Sequence, residues 1–134
     1  KIGEAVMLNE GVDVTILATG HLVWEAIEAG HILADMGIDA EVINIHTIKP
    51  LDADAILKSV GKTGCVVTAE EHQMNGGLGD SVAQLLARKN PTPLEMVAVN
   101  DSFGESGVPA LLMEKYGLTR TDIVKSVETV MKRK

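Results

Sequence analysis

The stretch Thr68–Leu86, TAEEHQMNGGLGDSVAQLL, decides how this chain is read. The apolar run CVVTA, Cys65 to Ala69, ends in the paired carboxylates Glu70 and Glu71, with His72 directly after them. A short polar loop then carries Gly76, Gly77 and Gly79, and Leu78, Val82, Leu85 and Leu86 fall on one helical face. This is the pattern of a strand, a charged turn and a glycine-rich helix start. In an open α/β sheet such turns sit at the carboxyl ends of strands, where ligands or partners meet the fold. Glycines there also leave backbone N–H groups at a helix N-terminus, a ready place for an anion.

Outward from this stretch, strand-like and helix-like segments alternate. Val14–Thr19 (VTILAT) is rich in β-branched residues and stops at Gly20. His21–Met36 carries apolar residues at helical spacing, including Val23, Trp24, Ile27 and Leu33, and ends at Gly37. Asp39–Ile45 is a second strand. Asp52 is the expected N-cap of a short helix over Ala53–Val60, closed by Gly61. Leu94–Val99 follows the Asn90–Pro93 break as a further strand. In the last helix, Thr119 and Asp122 form a capping-box pattern ahead of the stripe Ile123, Val127, Val130 and Met131. The short apolar piece AVML, Ala5–Leu8, is the candidate edge strand. Apolar strands alternating with helices predict a three-layer α/β/α domain around a largely parallel sheet.

Composition narrows the function classes. The 134 residues suit one domain. Apolar residues make up 46% and aromatics only 2%, so the core must be aliphatic. A net charge of −7 argues against a nucleic-acid or anionic-membrane partner. No apolar run approaches the ~20 residues that span a bilayer. The single Cys65 excludes an intrachain disulfide and fits a reducing cytoplasm. A first residue of Lys rather than Met suggests a section of a longer protein.

The candidate chemistry is thin. Gly77-x-Gly79-x-x ends in Val82, where a dinucleotide fingerprint needs a third small residue, and Glu70 and Glu71 would repel a pyrophosphate. His72 with Glu70 and Glu71 has no second His or Cys at ligand spacing, and His21, His31 and His46 are scattered. Two carboxylates and an imidazole at a strand end read instead as hydrogen-bond partners of loop amides or of a neighbouring domain. Cys65 reads as a buried strand residue, Ser81 as an ordinary first-turn serine, and Asp101 with Glu105 as a solvated loop. These residues make no active site: none is assigned as catalytic, cofactor-binding or metal-ligating.

Taken in order, the parts resemble the C-terminal domain of the transketolase family of thiamine diphosphate enzymes. The resemblance runs from GVDVTILATGHLVWEAIEAGHILADMGIDAEVINIHTIKPLD, through VVTAEEHQMNGGLGDSVAQLL, to VNDSFGESGVPALLMEKYGLTRTDIV. IKPLD, the EEH–GGLG turn, and FGESG followed by YGLT come in the family's order and spacing. The third element is most similar to transketolase, particularly its split form with separate N- and C-terminal sections. Deoxyxylulose-phosphate synthases and the β subunits of 2-oxoacid dehydrogenases share the first two. Ser102 stands where many relatives carry Arg, which puts any anion contact there in doubt.

The resemblance implies a five-stranded sheet with one antiparallel edge strand, in an enzyme that moves a two-carbon ketol unit between sugar phosphates in the pentose phosphate pathway. It implies that thiamine diphosphate and Mg²⁺ (or Ca²⁺) are held by absent diphosphate-binding and pyrimidine-binding domains of the same enzyme. It further implies a homodimer of the complete enzyme, with this domain inert alone. Glu70, Glu71, His72, Gly76, Gly77 and Gly79 are then expected at a domain or dimer interface. The alternative from another class is a regulatory module holding an anion or nucleotide at Glu70–Gly79.

Overall fold

Alternating strands and helices are what a computed structural model of the chain shows. It describes residues 4–46, 48, 50–73, 77–99, 112, 114–115 and 117–134, with 72, 73 and 99 described by their backbone alone. The order is β1 (Val6–Asn9), β2 (Val14–Ala18), α1 (Leu22–Asp35), β3 (Ala40–Asn44), α2 (Ala53–Thr63), β4 (Val66–Gln73), α3 (Leu78–Lys89), β5 (Leu94–Val99) and α4 (Arg120–Met131). The strands form one sheet in the order β1-β3-β2-β4-β5. β2, β3, β4 and β5 are parallel neighbours, and β1 runs antiparallel beside β3. The expected mixed sheet with one antiparallel edge strand is present.

Both faces of the sheet are covered, so β2 is buried along its whole length. On one face Val14, Ile16, Ala18, Val42 and Val67 pack under Leu22, Ala26, Ala29 and Leu33 of α1 and Ile123, Val127 and Val130 of α4. On the other, Leu17, Ile43 and Val66 meet Ile56 and Val60 of α2 and Leu78, Val82, Leu85 and Leu86 of α3. The alternation of β2 thus feeds two aliphatic cores, Ile16 into one and Leu17 into the other.

Two boundaries differ by more than a residue from the sequence reading. Helix α2 does not stop at Gly61 but runs to Thr63 and ends at Gly64, whose φ of 82° only glycine adopts without strain. The extra turn is anchored from beneath: Thr15 Oγ1 lies 2.7 Å from both Ser59 Oγ and Thr63 Oγ1. That buried hydroxyl trio outweighs the helix-weakening Gly61, which faces open space. Strand β4 runs on to Gln73, with pairing resuming at Gln73–Val99 after a register shift, so Glu70 and Glu71 belong to the strand rather than to a turn. The expected caps are present: Asp52 accepts from Ala55 N–H at 3.2 Å, and Asp122 accepts from the Thr119 N–H at 3.0 Å.

Candidate functional site

Successive residues of a strand point to opposite faces, and that rule separates the two carboxylates at the end of β4. Glu70 turns to the α3 face and is wholly buried. Its Oε1 accepts from the Leu78 N–H at 2.9 Å and its Oε2 from the Gly79 N–H at 2.8 Å. These are first-turn amides of α3, whose N-cap Gly77 offers no side chain to satisfy them. The carboxylate therefore does the work of a cap, with the helix dipole in its favour. Gly79 is buried beneath it. A Cβ there would stand 2.7 Å from Met96 Sδ and 3.0 Å from Thr68 Oγ1, so glycine is what lets α3 approach the sheet.

Glu71 turns the other way, towards the end of β2 and the start of α1. A Cβ on Gly20 would lie 3.1 Å from its Oε1, and Gly20 has a φ of 62°. Glu71 is half-buried, and its Oε2 is shielded from solvent without a hydrogen-bond partner among the described residues. Beside it a shallow cleft of about 400 Å³ opens between Thr19, Gly20, Val23, Asn44, Ile45 and His46. This is the point where the sheet order reverses, β3 lying to one side of β2 and β4 to the other.

Of the six residues singled out in the sequence, Glu70 and Gly79 lie inside the domain, while Glu71 and Gly77 are half-buried at its edge. His72 is placed by its backbone in β4, and Gly76 lies outside the described residues, as do Asp101, Ser102, Glu105 and the FGESG loop. His21 sits at the N-cap of α1, His31 is exposed on that helix, and His46 lines the cleft. Cys65 is buried and burial pushes its thiol up, which makes it a poor nucleophile.

The described residues do not fit a metal diphosphate. The α3 N–H pair that could receive a phosphate holds Glu70 instead. No three His, Cys, Asp or Glu side chains stand together as metal ligands among the described residues.

Charged contacts between residues far apart in the chain brace the rest of the domain. Glu41 is 1% exposed on β3, and its Oε1 accepts from Lys62 and from the Gly11 N–H at 3.1 Å. Burial pushes the Glu41 carboxyl up, but Lys62, Ser59 and the Gly11 amide together hold it below the usual range. Glu25 of α1 accepts from the Arg120 backbone N–H at 2.7 Å and from its guanidinium, which holds the Glu25 carboxyl low and joins α1 to α4. At the sheet's outer edge Val6, Met7 and Leu8 are 43%, 47% and 39% exposed, three apolar side chains in succession.

The model of the transketolase C-terminal domain matches residues 3–123. The chain belongs to that family. It is 51% identical over 133 residues to a 6-deoxy-6-sulfo-D-fructose transketolase subunit from Clostridium sp. (strain MSTE9), covering 99% of this chain and 41% of the relative. It is 42% identical over 134 residues to a putative transketolase C-terminal section from Methanocaldococcus jannaschii, covering 99% of this chain and 42% of that one. A 1-deoxy-D-xylulose-5-phosphate synthase from Desulforudis audaxviator is 39% identical over 135 residues, with 21% of its length matched. Among solved structures, a split gene transketolase described as an inactive beta4 tetramer superimposes with a TM-score of 0.91 at 45% identity, covering 98% of this chain and 43% of that one. The chain thus spans about two-fifths of the split transketolase subunits it resembles. Its likeness extends to both the split transketolase and the synthase branches.

Proposed function

We propose that this chain is the assembly domain of a split transketolase, and that the complete enzyme transfers a two-carbon ketol unit between sugar phosphates with thiamine diphosphate and Mg²⁺. The observation that carries the assembly role is the capture of the α3 N-terminus by Glu70. It turns the glycine-rich start, the best anion site in the sequence, into a structural joint. Cofactor and sugar then belong to the diphosphate-binding and pyrimidine-binding domains of the same enzyme. Glu71, His72, Gly76 and Gly77 are the residues proposed to meet them, with Glu70 and Gly79 shaping that surface from within. The exposed run Val6–Leu8 supports an assembly role, because contiguous apolar side chains on a sheet edge mark a contact surface. The reading extends to a cytoplasmic homodimer of the complete enzyme working in the pentose phosphate pathway.

A second reading of the substrate rests on the 51% identity to the sulfofructose transketolase subunit: the ketol donor is 6-deoxy-6-sulfo-D-fructose. One assay tests both. The complete enzyme, given thiamine diphosphate and Mg²⁺, is offered a ketose phosphate or 6-deoxy-6-sulfo-D-fructose with an aldose phosphate acceptor. Transfer from either donor supports ketol transfer and names the donor. Condensation of pyruvate, offered in a parallel reaction, with an aldehyde phosphate and release of CO₂, in place of transfer, would move the enzyme to the synthase branch.

A further inference from the structure

An ionised carboxylate only accepts hydrogen bonds, so the missing partner of a buried carboxylate oxygen must be a donor. Left unsatisfied, such an oxygen carries the full cost of its desolvation. Glu71 Oε2 is in this position, shielded from solvent and without a partner among the described residues. Its neighbour in the pair shows the contrast, since both oxygens of Glu70 are occupied by backbone amides. Gly20, which also lines the cleft, has no side chain to cover the Glu71 carboxylate from the side of α1. An inorganic cation is poorly provided for, because no three carboxylate, imidazole or thiol groups converge among the described residues.

We infer that Glu71 is a docking acceptor, held for a cationic side chain (arginine or lysine) from another section of the complete enzyme that enters beside Gly20. The inference rests on the assembly role proposed above and names the chemistry of the contact. The donor pairs with Oε2 and lies along the cleft formed by Thr19, Val23, Asn44, Ile45 and His46. A chain of net charge −7 favours a cationic approach. The geometry also explains why two adjacent glutamates stand here. Glu70 holds α3 in place, and Glu71, on the other face of β4 beside Gly20, is left for what docks.

A group kept for a partner has opposite effects on the free chain and on the assembly. Glu71→Gln in the 134-residue chain removes a carboxylate oxygen that has no partner among the described residues, so its unfolding temperature should stay at or above that of wild type, by at least ~2 °C if the full penalty is relieved. In the complete enzyme the same variant should weaken association of the sections by at least about 10-fold in sedimentation equilibrium. Glu71→Ala repeats the association measurement should the glutamine amide find a new contact. A lowered unfolding temperature of the free Glu71→Gln chain would make Glu71 an internal support and overturn the inference. So would association within about twofold of wild type for both variants. Stabilisation of the wild-type chain by KCl, lost in Glu71→Gln, would assign the oxygen to a free cation and overturn it too. Ketol transfer by the wild-type enzyme is scored separately. An active enzyme whose association ignores Glu71 refutes this contact alone, whereas an enzyme without transfer refutes the proposed function.

Discussion

Replacing Glu70 by glutamine changes one atom and should cost this domain much of its stability. In the native chain the two carboxylate oxygens accept from Leu78 N–H at 2.9 Å and Gly79 N–H at 2.8 Å, in a site with no exposure. Glutamine keeps one acceptor and turns an NH₂ group towards the second amide, so two donors face each other. A hydrogen bond to a charged group contributes about 1.5–3 kcal/mol, and a buried donor left unpaired costs about 1–3 kcal/mol. Neutralising a buried charge returns part of that sum, so the expected net loss is about 2–4 kcal/mol. For a domain of this size that corresponds to roughly 8–16 °C in unfolding temperature. Urea and thermal unfolding followed by circular dichroism read the total. Hydrogen exchange at the Leu78 and Gly79 amides reads the cause, since protection should fall at these two before the rest of α3. An unfolding free energy within about 0.5 kcal/mol of wild type, with both amides still protected, would refute the claim that Glu70 fastens α3.

Gly79→Val should destabilise the domain itself by about 1–3 kcal/mol or more, because the first added carbon already collides with Met96 and Thr68; urea unfolding that matches wild type would contradict this. Gly64→Ala, at φ 82° behind α2, should cost about 1 kcal/mol in the same assay, and a neutral result would mean the αL cap is dispensable. Acid should weaken the fold through Glu25 and Glu41, whose carboxyls the folded state holds low. Their contribution is complete above the ordinary glutamate value of about 4.3 and is lost as pH falls below it through the folded values. Glu41→Gln should therefore show a shallower loss of unfolding temperature between about pH 5 and pH 3 than wild type, and parallel curves would refute the assignment.

Strand and helix identities were legible because each element carries its own period. β2 reads as a β-branched run between glycines, and the α3 stripe repeats at three and four residues. The Asp52 cap and the Thr119–Asp122 box were legible for the same reason: their partners lie three residues away. The end of α2 was not, because it depends on Thr15, which is 44 residues from Ser59 and 48 from Thr63. The division of labour between Glu70 and Glu71 was also hidden. In sequence they are a pair of like charges. Only the pleat of β4, with α3 on one face and the start of α1 on the other, gives them different neighbours. The Arg120–Glu25 contact spans 95 residues and no local pattern announces it.

The central claim is that these 134 residues support an active enzyme without holding its cofactor. Isothermal titration of the chain with thiamine diphosphate and Mg²⁺ tests it most directly, with the complete enzyme titrated beside it. Saturable binding by the complete enzyme is expected, and none by the chain up to about 1 mM, where binding is worth only about 4 kcal/mol. Saturable micromolar binding by the chain alone would contradict it.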